Sequence, residues 1–296
     1  MPLLRTLLFA PGNRPPLLEK VGHCGADAVV LDLEDAVPVA EKEAARQAVR
    51  AAVRAITTCP VYVRVNPLTA ATAFSLAIGE ADLEAVVCAE LTGVLVPKIE
   101  SPDDVRHAEH LLCMRERQLG LAPGHIDLIP LLETARGIQH AYAIATAGTR
   151  VRRLAFGAGD FTRDLGVSWS RREVESLYAR SALVVASRAA GLEPPLDSVW
   201  VRLQDRRGLV RSAKLAKQLG FQGKMVIHPS QVAPVNAVFS PTPEEVAFAT
   251  RVVEAFRAAE AQGLASIQLD GHFIDYPLVE AAQRVLAAAA LGQRGP

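Results

Sequence analysis

The chain has 296 residues, of which half are hydrophobic, and its 32 basic residues balance its 32 acidic residues. A neutral chain without a basic stripe interleaved with aromatic side chains argues against a nucleic-acid-binding protein. No C-x-x-C pair occurs among the four cysteines, so neither a zinc site nor a disulfide framework is predicted. The apolar start is interrupted at Pro11-Gly12, and we therefore expect a first strand of a cytoplasmic protein rather than a signal peptide or a membrane span.

Short apolar segments alternate with longer, Ala-rich amphipathic segments along most of the chain. The predicted strands are 6–12, 28–35, 61–66, 93–100, 127–134, 153–160, 198–203 and 224–230, and helical patterns between them include 40–56, 103–118 and 175–191. Eight strand–helix units in alternation predict an α/β fold, a (β/α)8 TIM barrel. A doubly wound open sheet is the alternative, but no G-x-G-x-x-G turn follows any of the strands.

A segment of about 60 residues lies beyond the eighth unit. It begins with a capping box, in which Thr242 is the N-cap, Pro243 is N1 and Glu245 is N3, ahead of a long helix. A turn and a last helix follow. We therefore predict a catalytic barrel domain over 1–237 and a C-terminal extension over 238–296.

Polar side chains end or follow the predicted strands, and in a β/α barrel that end of the strands carries the catalytic groups. A single charge at a strand end is ordinary, but a polar residue on nearly every strand predicts an active site there. These residues are Arg14, Asp32, Glu34, Asp35, Arg64, Asn66, Lys98, Glu100, Glu133, Asp160, Arg202, Asp205, His228 and Ser230.

Glu133 and Asp160 each follow an otherwise apolar strand, and the two strands are consecutive. Two carboxylates, with waters and a chelating substrate, suit Mg²⁺, which prefers oxygen ligands. An ordinary ion pair at a strand end, for example between Glu133 and Arg136, is an equally good explanation of the pattern.

Nine motifs together resemble the CitE-like, HpcH/HpaI aldolase and citrate lyase superfamily from end to end. They are RTLLFAPGNRP, GADAVVLDLEDAV, VYVRVNP, VPKIES, IPLLETARG, FGAGDFTRDLG, GFQGKMVIHPSQV, FSPTPEEV and LDGHFID, in the order found in that family. The resemblance implies a Mg²⁺-dependent carbon–carbon lyase that cleaves 3-hydroxyacyl-CoA thioesters of the malyl, citramalyl or citryl type into an acyl-CoA and a 2-oxo acid.

The resemblance also implies roles for individual residues. Glu133 and Asp160 are the implied metal ligands, with Glu133 also contacting the substrate; Arg64 binds a substrate oxygen, and Arg14 assists or contacts the CoA phosphates. Asp275 corresponds to an acid/base residue that reaches into a neighbouring subunit's site from the C-terminal lid.

The same family resemblance implies a homo-oligomer, a trimer or a hexamer. The motif around Asp275 departs from the family pattern, since His272 and Phe273 stand where Lys and Met are usual.

Three other functions remain open. One is the beta subunit of a citrate lyase complex that acts on a citryl group carried by an acyl carrier protein, and others are an aldolase on free 2-oxo acids and a barrel without catalytic activity. The long tail favours a free-standing CoA lyase, because such complex subunits often end without a lid. The particular thioester and the working direction stay open.

The carboxylates of VVLDLEDAV (29–37) are expected beside the metal site rather than in it. Strand alternation places Asp32 and Glu34 on one face. We expect Glu34 and Asp35 to hold metal-bound waters or to orient Arg64, and Asp32 to be structural and paired with a cation such as Lys98.

Overall fold

The computed structural model describes residues 4–68 and 73–293, and the side chains of 4–68 and 76–290. Eight parallel strands pair in chain order, and β1 pairs with both β2 and β8, which closes the sheet into a barrel. The strands are β1 (Thr6–Pro11), β2 (Ala28–Asp32), β3 (Val61–Arg64), β4 (Gly93–Val96), β5 (Asp127–Leu132), β6 (Ala155–Phe156), β7 (Leu196–Asp197) and β8 (Gly223–Val226). The predicted TIM barrel is confirmed.

Alternate strand residues fill the inside of the barrel. Leu7, Val30, Tyr62, Leu95 and Ile129 belong to one buried cluster to which the other strands also contribute. Successive residues of a strand point to opposite faces, so their neighbours face the surrounding helices. The barrel is therefore a packed core that leaves only its ends for chemistry.

Helices follow the strands as the sequence pattern predicts. They are α1 (Pro15–Val21), α2 (Lys42–Ala55), α3 (Ala73–Val86), α4 (Pro102–Leu119), α5 (Ala135–Gln139), α6 (Ala141–Ala145), α7 (Ala158–Asp164), α8 (Leu177–Ala189), α9 (Arg206–Leu219) and α10 (Pro229–Phe239). Within residues 4–68 and 73–293, no helix is both long enough and apolar enough to cross a bilayer.

The seventh strand lies earlier than predicted. Leu196 pairs with Ala155 and Gly223, but the chain leaves the ladder after Asp197, and 198–203 is not a strand. The apolar alternation of that segment arises from burial without strand pairing, because Trp200 is fully buried whereas Val201 is 45% exposed. Alternating burial alone cannot distinguish a strand from an extended loop over the core.

The chain divides into two compact units, Leu4–Asn236 with the barrel and a second unit that starts at Ala237. In the second unit α11 (Pro243–Glu260) and α12 (Tyr276–Gln293) bury a core that includes Val252, Phe256 and Val279. The capping box at the start of α11 forms as predicted, since Thr242 and Glu245 each accept the other's main-chain N–H.

The predicted turn between these two helices is part of a β-hairpin. β9 (Ile267–Leu269) pairs antiparallel with β10 (His272–Ile274). The connecting Asp270 and Gly271 have φ values of 51° and 81°, in the left-handed region that a tight Asp-Gly hairpin turn requires. The predicted role of this unit as a lid stays a prediction.

Candidate active site

Arg64, at the end of β3, is held by two carboxylates of the neighbouring segment. Asp32 is its register partner on β2 and accepts hydrogen bonds from Nε at 2.7 Å and from one terminal nitrogen at 2.6 Å. The other terminal nitrogen lies 2.8 Å from Glu34 Oε2, and the guanidinium sits 5.3 Å from the centre of the Phe9 ring. Burial alone would lower the pKa of Arg64, but Asp32 and Glu34 outweigh it and raise that pKa.

A guanidinium carries five N–H groups in a fixed planar fork. Asp32 accepts two of those on Arg64, and the contact with Glu34 Oε2 is an ion pair without a hydrogen bond, so three N–H groups remain for another acceptor. The side chain keeps 14% of its surface exposed, and its charge is therefore fixed in place but still reachable.

Lys98 connects two of the acidic residues. Its Nζ lies 2.5 Å from Glu34 Oε1 and 3.8 Å from Asp35 Oδ1, while its main-chain N–H donates to Glu133 Oε1 at 3.0 Å. The expected pairing of Lys98 with Asp32 is wrong, because the β2–β3 register gives Asp32 to Arg64. The φ of Lys98 is 56°, an unusual conformation for a residue other than glycine. Such strain persists where the surroundings enforce it, and it is commonest at functional sites.

Glu133 directly follows β5, and its side chain is almost fully buried. Burial, together with the nearby charges of Glu34 and Asp160, raises its pKa to about 8, although Arg64 and the Lys98 N–H act in the opposite direction. Burial also raises the pKa of Glu34, against the pull of its two cationic neighbours. Two carboxyl groups at this end of the barrel are thus costly to ionise without a further cation.

Gly157 makes room for this carboxylate. A Cβ atom at this position would collide with the Glu133 carboxylate and lie 2.7 Å from its Cβ. Only glycine allows the backbone after β6 to pass so close.

Asp160 lies in the first turn of α7, not at the end of a strand as predicted, because β6 has only two residues. Its Oδ1 is 2.9 Å from the guanidinium of Arg163, and its charge acts on both Glu133 and Lys98. In the described ranges, Glu133 forms no ion pair with Arg136, so the explanation as an ordinary local ion pair fails for Glu133, whereas Asp160 does form such a pair with Arg163. The described part of the chain contains no group of three or more His, Cys, Asp or Glu side chains that could hold a metal ion. An ion held by Glu133 and Asp160 would therefore need ligands from water and substrate.

The structure does not bring Arg14 into this cluster. Arg14 is exposed at the start of α1, after β1, on the rim where the N–H of Gly12 donates to the Asp32 carbonyl. Asp275 belongs to the second unit, where it accepts a hydrogen bond from the N–H of Leu278 at 3.3 Å. The roles predicted for both residues stay predictions.

Other predicted rim residues have structural roles. The Asn66 side chain is buried and donates to the Leu33 carbonyl at 2.9 Å and to Asp82 at 2.6 Å. Asp205 caps α9 by accepting the N–H of Gly208. A polar residue at a strand end therefore does not by itself indicate catalysis.

Sequence reasoning missed two partners of Arg64. Asp32 was expected to be structural and paired with a cation such as Lys98, not with Arg64, and Phe9 was not considered. The signal for Asp32 was available, since consecutive barrel strands are neighbours and the carboxylate and the guanidinium occur at corresponding strand ends. No comparable signal marks Phe9.

The family model described as HpcH/HpaI aldolase/citrate lyase matches residues 5–229, around the whole barrel. The chain belongs to this family. It is 36% identical over 289 residues to the citrate lyase subunit beta of Leuconostoc mesenteroides subsp. cremoris, covering 97% of this chain and 93% of that protein. Human mitochondrial citramalyl-CoA lyase is 31% identical over 302 residues, covering 96% of this chain and 85% of the relative.

A solved structure with the same architecture is that of CitE from Mycobacterium tuberculosis in complex with magnesium, acetoacetate and coenzyme A. It superposes with a TM-score of 0.76 at 32% identity and covers 97% of this chain and 98% of CitE. The predicted family is confirmed, and with it the predicted class of enzyme, a carbon–carbon lyase.

Proposed function

We propose that this protein cleaves a 3-hydroxyacyl-CoA thioester into an acyl-CoA and a 2-oxo acid, in a reaction that depends on Mg²⁺. The observation that carries the proposal is the buried Glu133 carboxyl, whose pKa is raised to about 8, beside Asp160 and the anchored Arg64. Support comes from the magnesium, acetoacetate and coenzyme A bound to CitE of M. tuberculosis, and from the likeness to citramalyl-CoA lyase.

The residues fit a hard divalent cation. Burial and like charges disfavour ionisation of Glu133, and a cation between it and Asp160 would supply the missing positive charge. Both residues offer carboxylate oxygens, the ligands that Mg²⁺ prefers. When bound, Mg²⁺ supplies Lewis-acid polarisation of a chelated substrate oxygen.

Arg64 would stabilise the charge that develops during cleavage. The hydroxyl at C3 gives its proton to water, and the oxygen electrons form the carbonyl of the 2-oxo acid. The C2–C3 bond breaks, and the electron pair of that bond moves onto the thioester carbonyl oxygen as an enolate. The N–H groups of Arg64 that Asp32 does not accept would bind that oxygen, and a donor of this kind contributes about 3 kcal/mol. Because Asp32 and Glu34 already hold the guanidinium, little reorganisation is needed.

A proton must then reach C2 to release the acyl-CoA. We assign this step to Asp275, acting from the C-terminal extension of a neighbouring subunit in a homo-oligomer, a trimer or a hexamer. A carboxylate on a closing lid would also exclude water while the enolate exists. We assign the CoA phosphates to Arg14, which is exposed on the same rim as Asp32.

The test is a screen of malyl-CoA, citramalyl-CoA and citryl-CoA with Mg²⁺, in which the released 2-oxo acid is detected. Glu133→Gln and Asp160→Asn should abolish metal-dependent cleavage and leave the circular dichroism spectrum unchanged. The exposed Glu84→Gln is the matched control and should retain full activity. Unchanged turnover in EDTA would refute the metal assignment.

A second candidate is the beta subunit of a citrate lyase complex, favoured by the 36% identity to the Leuconostoc protein. The tail does not argue against it as expected, because that alignment covers 97% of this chain and so includes the tail. A comparison of citryl-CoA with citryl-acyl carrier protein separates the two functions. A marked preference for the carrier-bound group would favour the complex subunit.

A further inference from the structure

A cavity of about 520 Å³ in the barrel unit is lined by α9 and by residues 171–173. Five exposed cations line this cavity, which we call the cationic groove. They are Arg171, Arg172, Arg207, Arg211 and Lys214. The one carboxylate in the lining, Glu173, is buried and pairs with Arg180 at 3.0 Å. None of the five cations belongs to the candidate active site.

One of the cations connects the two sides of the groove. Arg207, Arg211 and Lys214 lie four and three residues apart on α9, so they share one face of the helix. Arg211 donates to the main-chain carbonyl of Arg171 at 3.0 Å, which ties the helix to the facing segment. The backbone of the helix and that of the facing segment are therefore held together on the two sides of the groove.

A short hydrogen-bonded turn fixes the facing segment as well. The N–H and the hydroxyl of Ser170 donate to Glu175 at 2.8 and 2.7 Å, and the N–H of Glu173 donates to Ser170 at 3.0 Å. Arg171 and Arg172 lie between these bonded residues. Their backbone is thus fixed while their side chains stay exposed.

The positive charge of the groove is poorly compensated by the protein. Across the described chain, Arg172, Arg207 and Lys214 form no ion pair, and Arg171 lies 3.7 Å from Asp205. Arg207 is also in the first turn of α9, which has no acidic residue, although the helix dipole disfavours cations there. A bound anion would relieve both unfavourable interactions.

The hydroxyl of Ser212 gives an independent indication of a ligand. Ser212 lines the same cavity and is buried, and among the described residues its Oγ has no hydrogen-bond partner. Buried hydroxyl groups are nearly always hydrogen-bonded. An acceptor oxygen inside the groove would satisfy it.

We propose that the cationic groove binds the polyphosphate group of a small molecule. A guanidinium group can donate two parallel hydrogen bonds to the oxygens of one phosphate, and the Ser212 hydroxyl adds a further donor. The volume of the groove is in the range of small-molecule binding sites. The same chemistry occurs in the nucleotide part of a CoA thioester and in a separate nucleoside polyphosphate effector. The binding experiment does not require lyase activity, so a failure of this proposal can be distinguished from a failure of the proposed function.

The experiment measures binding of inorganic tripolyphosphate to the full chain by titration calorimetry at 150 mM NaCl. The double variant Arg207→Gln/Arg211→Gln should weaken binding by at least about 30-fold, since each arginine forms a charge-assisted hydrogen bond. Ser212→Ala should weaken it about threefold without lowering the melting temperature. The matched control is Arg50→Gln/Arg54→Gln, an exposed pair with the same spacing on α2, which should bind like the wild type.

Competition identifies the source of the polyphosphate. Displacement of tripolyphosphate by CoA and by adenosine 3′,5′-bisphosphate, together with a raised KM in the double variant, would assign the groove to the substrate. Displacement by ATP but not by CoA would assign it to an effector. The proposal is overturned if no saturable binding occurs, if the groove and control variants lose binding equally, or if polyglutamate binds and tripolyphosphate does not.

Discussion

Replacement of Glu133 by glutamine should stabilise the protein in the absence of metal, although it removes a proposed metal ligand. Glutamine has nearly the same shape and keeps the oxygen that accepts the Lys98 N–H. It cannot ionise, so it avoids the cost of placing a charge in this buried, negatively charged environment. A residue kept for function would then be a source of instability in the metal-free fold.

The size of the effect follows from the pKa of Glu133, about 8 in the folded protein against an ordinary value of 4.5. Between these values the folded protein keeps a proton that the unfolded chain releases, so stability falls as the pH rises from 4.5 to 8 and is constant above. Each pKa unit corresponds to about 1.4 kcal/mol. The glutamine variant should therefore be more stable by about 3 kcal/mol at pH 7 and by about 5 kcal/mol at pH 9, with a difference below about 0.5 kcal/mol at pH 4.5.

The assay is urea unfolding in EDTA at pH 4.5, 7 and 9, followed by tryptophan fluorescence. Trp169 and Trp200 both belong to the barrel unit and report its unfolding. Glu84→Gln is the control and should change stability by less than about 0.5 kcal/mol at every pH. Added Mg²⁺ should stabilise the wild type alone. A variant that is less stable than the wild type at pH 7, or a difference independent of pH, would refute the reasoning.

Three further predictions concern the cluster around Arg64. Asp32→Asn should lower the free energy of unfolding by about 3 kcal/mol, because it breaks a buried ion pair, and a loss below about 1 kcal/mol in urea unfolding would contradict this. Lys98→Gly relieves the strain of the left-handed conformation but removes the ion pair with Glu34. We expect kcat/KM to fall at least about tenfold with little change in melting temperature. Unchanged kinetics would argue against a role of the side chain. Mixing inactive Asp275→Ala and Arg64→Ala proteins should restore activity if the tail works across subunits, and no recovery after verified subunit exchange would count against it.

The barrel was predictable because eight apolar segments alternate with amphipathic ones, and few folds accommodate that order. The seventh strand was misplaced because burial of Trp200 imitates strand alternation. Hydrophobic pattern reports which residues are buried, whereas strand pairing depends on backbone hydrogen bonds that the pattern does not contain.

At the site, the gathering of Glu133 and Asp160 with Arg64 was expected from strand order and from the family resemblance. The hydrogen bond from the Lys98 N–H to Glu133 was not expected. Lys98 has a positive φ, which lysine rarely adopts, and no neighbouring glycine indicates such a conformation in the sequence. The pairing of Arg64 with Asp32 was not predicted, although strand order places the two residues at neighbouring strand ends; the observed register makes them direct partners.

Lys98 also determines how this site tolerates mutation. Its hydrogen bond to Glu133 comes from the main chain and depends on the positive φ, which glycine adopts freely and β-branched residues do not, whereas its contact with Glu34 depends on the ammonium group. Substitutions at this position can therefore change the charge beside Glu34 and Arg64 while the main-chain bond that orients Glu133 is kept. Replacements that tolerate a positive φ, such as glycine or asparagine, would change the charge beside Glu34 and leave the main-chain bond to Glu133 in place.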